Sequence, residues 1–364
     1  LSGQPELTVG VEEEFFLVGP DGGLVNQGPE AVADATGVDL KPELLRCQVE
    51  SATGVLRTAD DIRGELVELR GLLAKGAADQ GAALIASGTA PHPQPEISVI
   101  GPGTRYNRIA RHIGSFIASD VTCGCHVHVG VEDRAAGLRV ANHLRPWLPA
   151  LLAWSANSPF HGGVDTGYAS TRHVLWNRWP TAGPPPYVSS LAEYEEIVAG
   201  LLATGAAMDR KMVYWEVRPS EAQPTVEVRI PDVLGTVQEA TFIAVLVRLL
   251  VSDALRGDPD PVPTEIIRAA SWRAARGGRS ASVPDPRLRT LREATAVVGD
   301  LIRDHTDDLR ASGELDFMRA TATWLDHHGD GAHRQREAFE RAGNIDDVTR
   351  MLAEQTSLSR TTEG

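Results

Sequence analysis

Residues Thr8 to Val18 read TVGVEEEFFLV. The alternation inside this stretch decides how the chain is read. In a β-strand successive side chains point to opposite faces. Val9, Val11, Phe15 and Leu17 therefore share one apolar face, with Glu13 intruding among them. Glu12 and Glu14 go to the other face with Gly10 and Phe16. Two carboxylates thus stand one strand-repeat apart on an otherwise apolar strand. Unit charges about 4 Å apart repel by roughly 4 kcal/mol at an effective dielectric of about 20. A hard divalent cation with oxygen ligands, Mg²⁺ above all, would turn that repulsion into binding. Read alone, the stretch also fits a solvated edge strand with three surface glutamates.

Four further segments repeat the pattern of polar residues two apart on an apolar background. In CQVES, Gln48 and Glu50 lie opposite Cys47 and Val49. In CGCHVHVGV, His126 and His128 lie opposite Cys125, Val127 and Val129. In YWEVRPS, Glu216 and Arg218 lie opposite Trp215 and Val217. In TVEVRI, Glu227 and Arg229 lie opposite Val226, Val228 and Ile230. If these strands form one sheet, a single face gathers five glutamates, two histidines and two arginines, while helices cover the other face. Independent surface strands would show the same alternation. Each His-x-His or Glu-x-Arg pair, taken singly, also fits ordinary hydrogen bonding or a half-exposed ion pair.

Arginine's planar fork matches phosphate and carboxylate. Arg172, in ASTRHVLW, and Arg105, in TRYNR, sit in or beside loops that could reach such a face. Carboxylates with arginines suit metal-bound nucleoside triphosphate.

The rest of the chain sets limits. Its 364 residues are 42% hydrophobic and 23% charged, an ordinary globular composition. The net charge of −14 argues against nucleic acid or an anionic membrane as main partner. Cys47, Cys123 and Cys125 leave an odd thiol, so a disulfide framework is not expected. No signal peptide opens the chain, and a cytoplasmic location is the expectation. The apolar run Thr241 to Ser252 is interrupted by Arg248 and too short to span a bilayer.

Strands are expected at Leu7–Val18, Leu45–Ser51, Ala83–Ser87, Gly124–Val131, Tyr214–Arg218 and Thr225–Ile230. Helices are expected from Ala59 to about Lys75, with Ile62, Leu66, Leu69 and Leu73 on one face, and over Ala135–His143 and Trp147–Asn157. Others are expected over Leu191–Thr204, Val237–Leu255, Pro286–Ala311 and Ile345–Glu354. Pro and Gly mark loops at Thr89–Thr104, Trp179–Tyr187, Gly257–Pro263 and Gly277–Pro286. Strands and helices mix without a βαβ rhythm, which reads as an α+β fold. Periodic elements resume on both sides of every loop, so one domain over residues 1–364 is expected.

There is no GxxxxGK[ST] loop, no GxGxxG after a strand, no HExxH and no GxSxG. HVHVGVE resembles the first cupin motif. However, Asp120 stands where that motif has glycine, and no second cupin motif follows. A cupin-like metal enzyme stays as a distant alternative.

The set TVGVEEEFFLV, QVESATGV, CGCHVHVGV, ANSPF, WPTAGPP, YWEVRPS, TVEVRIPDV, WRAARGG and GDGAHRQR, in this order and spacing, resembles the YbdK-type carboxylate–amine ligases of the glutamate–cysteine ligase superfamily. The resemblance runs from about Thr8 to Glu354. It implies a curved antiparallel sheet forming a funnel backed by helices, as in glutamine synthetase. It also implies an ATP- and Mg²⁺-dependent reaction, with Mn²⁺ as a substitute, joining a small-molecule acid to an amine through an acyl phosphate. Carried over, it implies Glu12, Glu14, Glu50, His128 and Glu227 as metal ligands. Arg229 is implied on the transferred phosphate and Arg172 as a substrate or phosphate clamp. Arg218 and His126 are expected beside the nucleotide. Glutamate–cysteine ligation is the alternative in the same fold, and a catalytically silent metabolite-binding protein is the alternative of another class. Whether the chain forms a homo-oligomer is left open.

Three features depart from the family pattern. Glu216 stands where aspartate is expected, the loop Ala90–Gly103 is proline-rich and long, and His173 replaces a small hydroxyl residue. Such changes bear on the substrate, because loops set specificity in ligases of this kind.

Overall fold

A computed structural model describes residues 7–26, 28, 32–33, 44–93, 100–101, 103–114, 121–257 and 261–357. Half of the expected Ala90–Gly103 loop, residues 94–99 and 102, lies outside them.

All six expected strands form and meet in one sheet. They are β1 (Val9–Val18), β2 (Gln48–Ala52), β3 (Ala83–Ile85), β4 (Cys125–Gly130), β7 (Val217–Pro219) and β8 (Thr225–Val228). The order is β2-β1-β4-β8-β7, with β3 beside β1. Every pairing is antiparallel. The sheet's neighbours in sequence include two small hairpins, β5 (Phe160–His161) with β6 (Val164–Asp165), and β9 (Ser282–Asp285) with β10 (Thr290–Glu293).

The register carries the alternation across the sheet. Glu14 pairs with Glu50, Glu12 with His126, His128 with Glu227, and Glu227 with Arg218. Residues one step along point the other way. Val9, Val11, Val127, Val129, Val217, Val226 and Val228 are buried together in the main core. Three helices cover that apolar face: α1 (Ala59–Asp79), α3 (Arg134–Leu144) and α7 (Val237–Ala254). Capping boxes start two of them, Thr58 with Asp61 and Thr236 with Glu239, satisfying amide groups that the first helical turn leaves open.

The remaining helices are α2 (Thr104–Ile113), α4 (Leu148–Ser155), α5 (Thr171–Trp176), α6 (Leu191–Ala203) and α8 (Thr264–Gly277). They continue with α9 (Ala294–Asp304), α10 (Thr306–Ala311), α11 (Leu315–His328), α12 (Gly331–Ala342) and α13 (Ile345–Ser357).

Three expectations need correction. The helix expected over Pro286–Ala311 is instead a hairpin strand followed by α9 and α10. The Asp285 carboxylate accepts the amide protons of Arg287 (2.9 Å) and Leu288 (3.3 Å), and this local turn displaces the helix. The loop expected at Gly277–Pro286 is a short 3₁₀ turn running into β9. On α1 it is Arg70, with Leu69 only half-buried, that joins Ile62, Leu66 and Leu73 inside. Among the described residues, no helix is long and apolar enough to cross a membrane.

Candidate active site

The sheet face opposite the valines floors a cleft of about 430 Å³. Glu12, Glu14, Glu50, His126, His128, Arg218, Glu227 and Arg229 all line it. Strand alternation alone aims them there, since each lies an even number of positions from its partner on the same strand.

The most compact group is Glu12, His128 and Glu227, whose donor atoms lie within 4.8 Å of one another. His128 Nε2 sits 3.6 Å from Glu12 Oε2 and 4.0 Å from Glu227 Oε1. It is buried and, among the described residues, has no hydrogen-bond partner. Its other ring nitrogen is 3.1 Å from the Thr225 hydroxyl, a contact that fixes the ring. Two carboxylates and an aimed imidazole nitrogen with no partner fit a divalent cation. His126 Nδ1 is 3.3 Å from Glu12 Oε2, and its Nε2 is 3.9 Å from Glu14 Oε1. Glu14 Oε2 also accepts the Gly124 amide proton at 2.6 Å, which pins that carboxylate at the end of β4.

The charges hold each other in place. Burial alone would raise the Glu12 pKa, but the hydrogen bond with His126 and the electrostatic attraction of His126 and His128 hold it well below the carboxylate range. Burial likewise acts against the Glu227 anion, while Arg229 and Arg218 keep it ionised. Arg218 Nε donates to Glu227 Oε2 at 2.8 Å, and Arg229 donates to Glu227 Oε1. Arg229 is buried yet its pKa is raised, because Glu227, Glu14 and Glu12 outweigh the burial penalty. His126 is pulled down by burial and by Arg229. The floor is thus an alternating lattice of carboxylates and guanidinium groups around a histidine pair.

Arg172 does not line this cleft. It is 3% exposed and donates to the carbonyls of Ile230 (3.1 Å) and Arg229 (3.2 Å). The direct clamp expected of it is therefore corrected: it holds the backbone that carries Arg229. Gly124 gives it room, since a Cβ there would meet its Nη2 at 2.2 Å. Glu216 is also misplaced by simple alternation. Its side chain is buried outside the cleft, while its carbonyl accepts the Arg229 amide proton at 2.8 Å. Its carboxyl faces His173, with 3.5 Å between Oε1 and Nδ1, so two of the departures noted in the sequence touch each other.

Cys123 and Cys125 are fully buried. Cys125 lies with the valines of the main core, as its place in β4 requires. Cys123, before β4, sits in a second apolar cluster, where its sulfur accepts from Gln48 Nε2 at 3.3 Å. Burial pushes the Cys125 thiol well above its usual pKa, the opposite of an activated nucleophile.

Sequence reading missed one wall of the cleft. Trp176, Trp179 and Tyr214 come from α5, the turn after it and the approach to β7. None shows a periodicity that marks it as site-lining, and only the proline-rich WPTAGPP stretch hinted that this loop is built to a fixed shape.

The sequence pattern of the family described as glutamate–cysteine ligase family 2 matches residues 8–351. The chain belongs to that family. It is thereby an ATP-dependent carboxylate–amine ligase by class. A Rhodococcus jostii protein provisionally named glutamate–cysteine ligase 2-1 is 44% identical over 358 residues, covering 95% of this chain and 96% of its own. A Mycobacterium sp. protein provisionally named glutamate–cysteine ligase 2-2 is 43% identical over 361 residues, covering 96% and 98%. The fold is similar to that of the glutamate–cysteine ligase of Francisella tularensis, solved in complex with AMP. That similarity has a TM-score of 0.72 at 13% identity and covers 99% of this chain and 90% of that one. A bifunctional glutathione synthetase from Pasteurella multocida gives 0.70 at 16% identity, covering 96% of this chain and 52% of that one. At these identities the two structures speak for the fold alone.

Proposed function

We propose that the cleft binds Mg²⁺-ATP and joins a small carboxylic acid to an amine, the acid first taking the γ-phosphoryl group to become an acyl phosphate. The observation that carries this reading is the meeting of Glu12, His128 and Glu227 within 4.8 Å, directly beside Arg218 and Arg229. Phosphoryl transfer asks for positioned charge rather than a covalent nucleophile, and the lattice supplies charge of both signs.

Glu12, His128 and Glu227 would hold the cation, with Glu14 and Glu50 paired across β1 and β2 beside them. Bound there, a divalent cation would supply charge neutralisation and polarise phosphoryl oxygens. Mg²⁺ suits the carboxylates, and the imidazole nitrogen leaves Mn²⁺ a competent substitute. Arg229 is aimed by its neighbours. Its amide is tied to Glu216, its carbonyl to Arg172 and its guanidinium to Glu227. Such a group stabilises charge that spreads over a transferring phosphoryl group without first having to reorganise. Lys211 also lines the cleft, while the Arg105 guanidinium there is engaged by Asp209 at 3.1 Å.

The names of the relatives at 44% and 43% identity favour glutamate and cysteine as one choice of acid and amine. The test is ADP release from Mg²⁺-ATP across a panel of acids and amines. Turnover that stops with EDTA and returns with Mg²⁺ or Mn²⁺ is the expected result. Release that needs neither metal nor acid would refute the reading.

A further inference from the structure

Trp176, Trp179 and Tyr214 pack tilted and edge to face against one another, at interplanar angles of 41°, 61° and 78°, in one aromatic cluster. Their centroids lie 5.6 Å apart for Trp176–Trp179, 5.1 Å for Trp176–Tyr214 and 5.2 Å for Trp179–Tyr214. All three rings are half-buried and line the same cleft as Arg229 and the carboxylates. Trp179 and Tyr214 pack against a small apolar cluster of Ile109, Ala207 and Met212, of which Ile109 also lines the cleft. The guanidinium of Arg172 covers one face of Trp176 at 5.8 Å. Among the described residues, neither indole N–H and not the Tyr214 hydroxyl donates a hydrogen bond to the protein. Three aromatic rings with unengaged polar tips, at the edge of a strongly charged floor, suit a ligand with a flat apolar body.

The cluster of Glu12, His128 and Glu227 has cavity space on two sides. A second cleft of about 1050 Å³ shares Glu12 and His128 and runs along Gly10, Gly54, Val55 and Pro224. It has the room for a nucleoside and no aromatic residue on its walls. With the metal-bound triphosphate on the carboxylate floor and the nucleoside in the second cleft, the ring-lined end of the first cleft is left for the group being ligated. A glutamate or cysteine body carries charge and little flat area, and would leave the rings facing water.

We infer that Trp176, Trp179 and Tyr214 select an acid or amine with an aryl group, so that the physiological substrate pair includes an aromatic member. This rests on the ligase reading above, and the carboxyl or amine of that substrate reaches the Glu227–Arg229 end of the cleft while its ring lies on the wall. Stacking on one such ring is worth about twofold to tenfold in affinity beyond the area it covers.

The test uses the whole protein with Mg²⁺ and a non-hydrolysable ATP analogue, titrated with 3-phenylpropionate, with phenylalanine and with glutamate. Tryptophan fluorescence and binding heat are both followed, for the parent, Trp179→Ala and Trp179→Phe. Expected is quenching by an aryl compound and its preference over glutamate. Trp179→Ala should weaken it about tenfold, the weight of one stacking contact, with Trp179→Phe restoring most of the loss. Affinity for the ATP analogue should stay within about twofold in both variants. Weakened binding of the analogue, with the aryl compound unaffected, would mean that the rings hold adenine and would overturn the inference. So would efficient ligation of glutamate to cysteine that Trp179→Ala leaves unchanged, a result that keeps the ligase reading intact. Failure of the ligase reading looks different: no acid–amine pair releases ADP from Mg²⁺-ATP, which would overturn both.

Discussion

Glu13 and Arg70 meet between β1 and α1 with neither side chain exposed to solvent. Arg70 Nε donates to Glu13 Oε2 at 2.9 Å and Nη2 to Oε1 at 2.5 Å. Two of its three remaining protons reach the carbonyls of Leu234 (2.8 Å) and Gly235 (3.2 Å). The middle glutamate of the triplet is therefore a structural residue, while the two flanking ones face the cleft. The pair locks α1 and the segment before α7 onto the strand that carries Glu12 and Glu14.

Removing one partner leaves a buried charge unopposed. Arg70→Met is expected to cost about 3–5 kcal/mol of stability. Glu13→Leu combined with Arg70→Met should recover much of that, since two apolar groups need no counter-charge. Urea unfolding of the two variants checks this. A single variant as stable as the parent would mean that the pair does not hold the strand.

Arg229 separates chemistry from binding. Arg229→Lys keeps a charge but loses the planar fork, so it should stay strongly impaired. Arg229→Ala should lower kcat by about 10³–10⁵, the range for an arginine on a transferring phosphoryl group. Its Mg²⁺-ATP affinity should remain within about tenfold, or roughly 1.4 kcal/mol. Calorimetry beside ADP release measures both. Near-normal turnover with greatly weakened ATP binding would make Arg229 a ground-state clamp instead.

The buried Glu216–His173 contact gives a pH dependence. Burial lifts the Glu216 carboxyl from 4.5 to about 8, with Asn177, Arg172 and Arg268 opposing only part of it. Burial and Arg172 lower His173 from 6.5 to about 3. Folded protein thus keeps a proton on Glu216 that the unfolded chain has lost. The Glu216 contribution is fully present below pH 4.5 and disappears as the pH rises through 8. His173 acts in the opposite sense: its contribution is present above 6.5 and lost as pH falls toward 3. Between pH 6.5 and 8, then, only Glu216 changes. Glu216→Gln cannot ionise, so its stability relative to the parent should rise across that interval. Urea midpoints at the two ends of the interval read the difference, and a constant gap would contradict a protonated Glu216.

The sheet was legible because its signal is local and repeated. Period-two alternation marked five of the six strands, and with them the floor from Glu50 to Arg229. What alternation cannot see is where a strand stops. Glu216 precedes β7, so its side chain leaves the face that Arg218 keeps. The resemblance implies Arg172 as a clamp, yet two backbone carbonyls capture it inside. The aromatic wall is assembled from three separate places, which only tertiary packing brings together. Helices α2, α5, α8, α11 and α12 escaped notice because they are short or dense in charge. The partner of Glu13 was hidden for a related reason, since Arg70 sits in an otherwise apolar helical stripe where another leucine would be expected.

The most direct test of the account follows oxygen. An acid that supports ADP release is labelled with oxygen-18 in its carboxyl group and turned over with Mg²⁺-ATP and amine. Attack of that carboxylate on the γ-phosphoryl group, followed by displacement by the amine, moves one labelled oxygen into inorganic phosphate at each turnover. The account predicts that transfer, together with ADP as the nucleotide product and with no transfer in EDTA. Phosphate free of label, or AMP and pyrophosphate in place of ADP and phosphate, would contradict it.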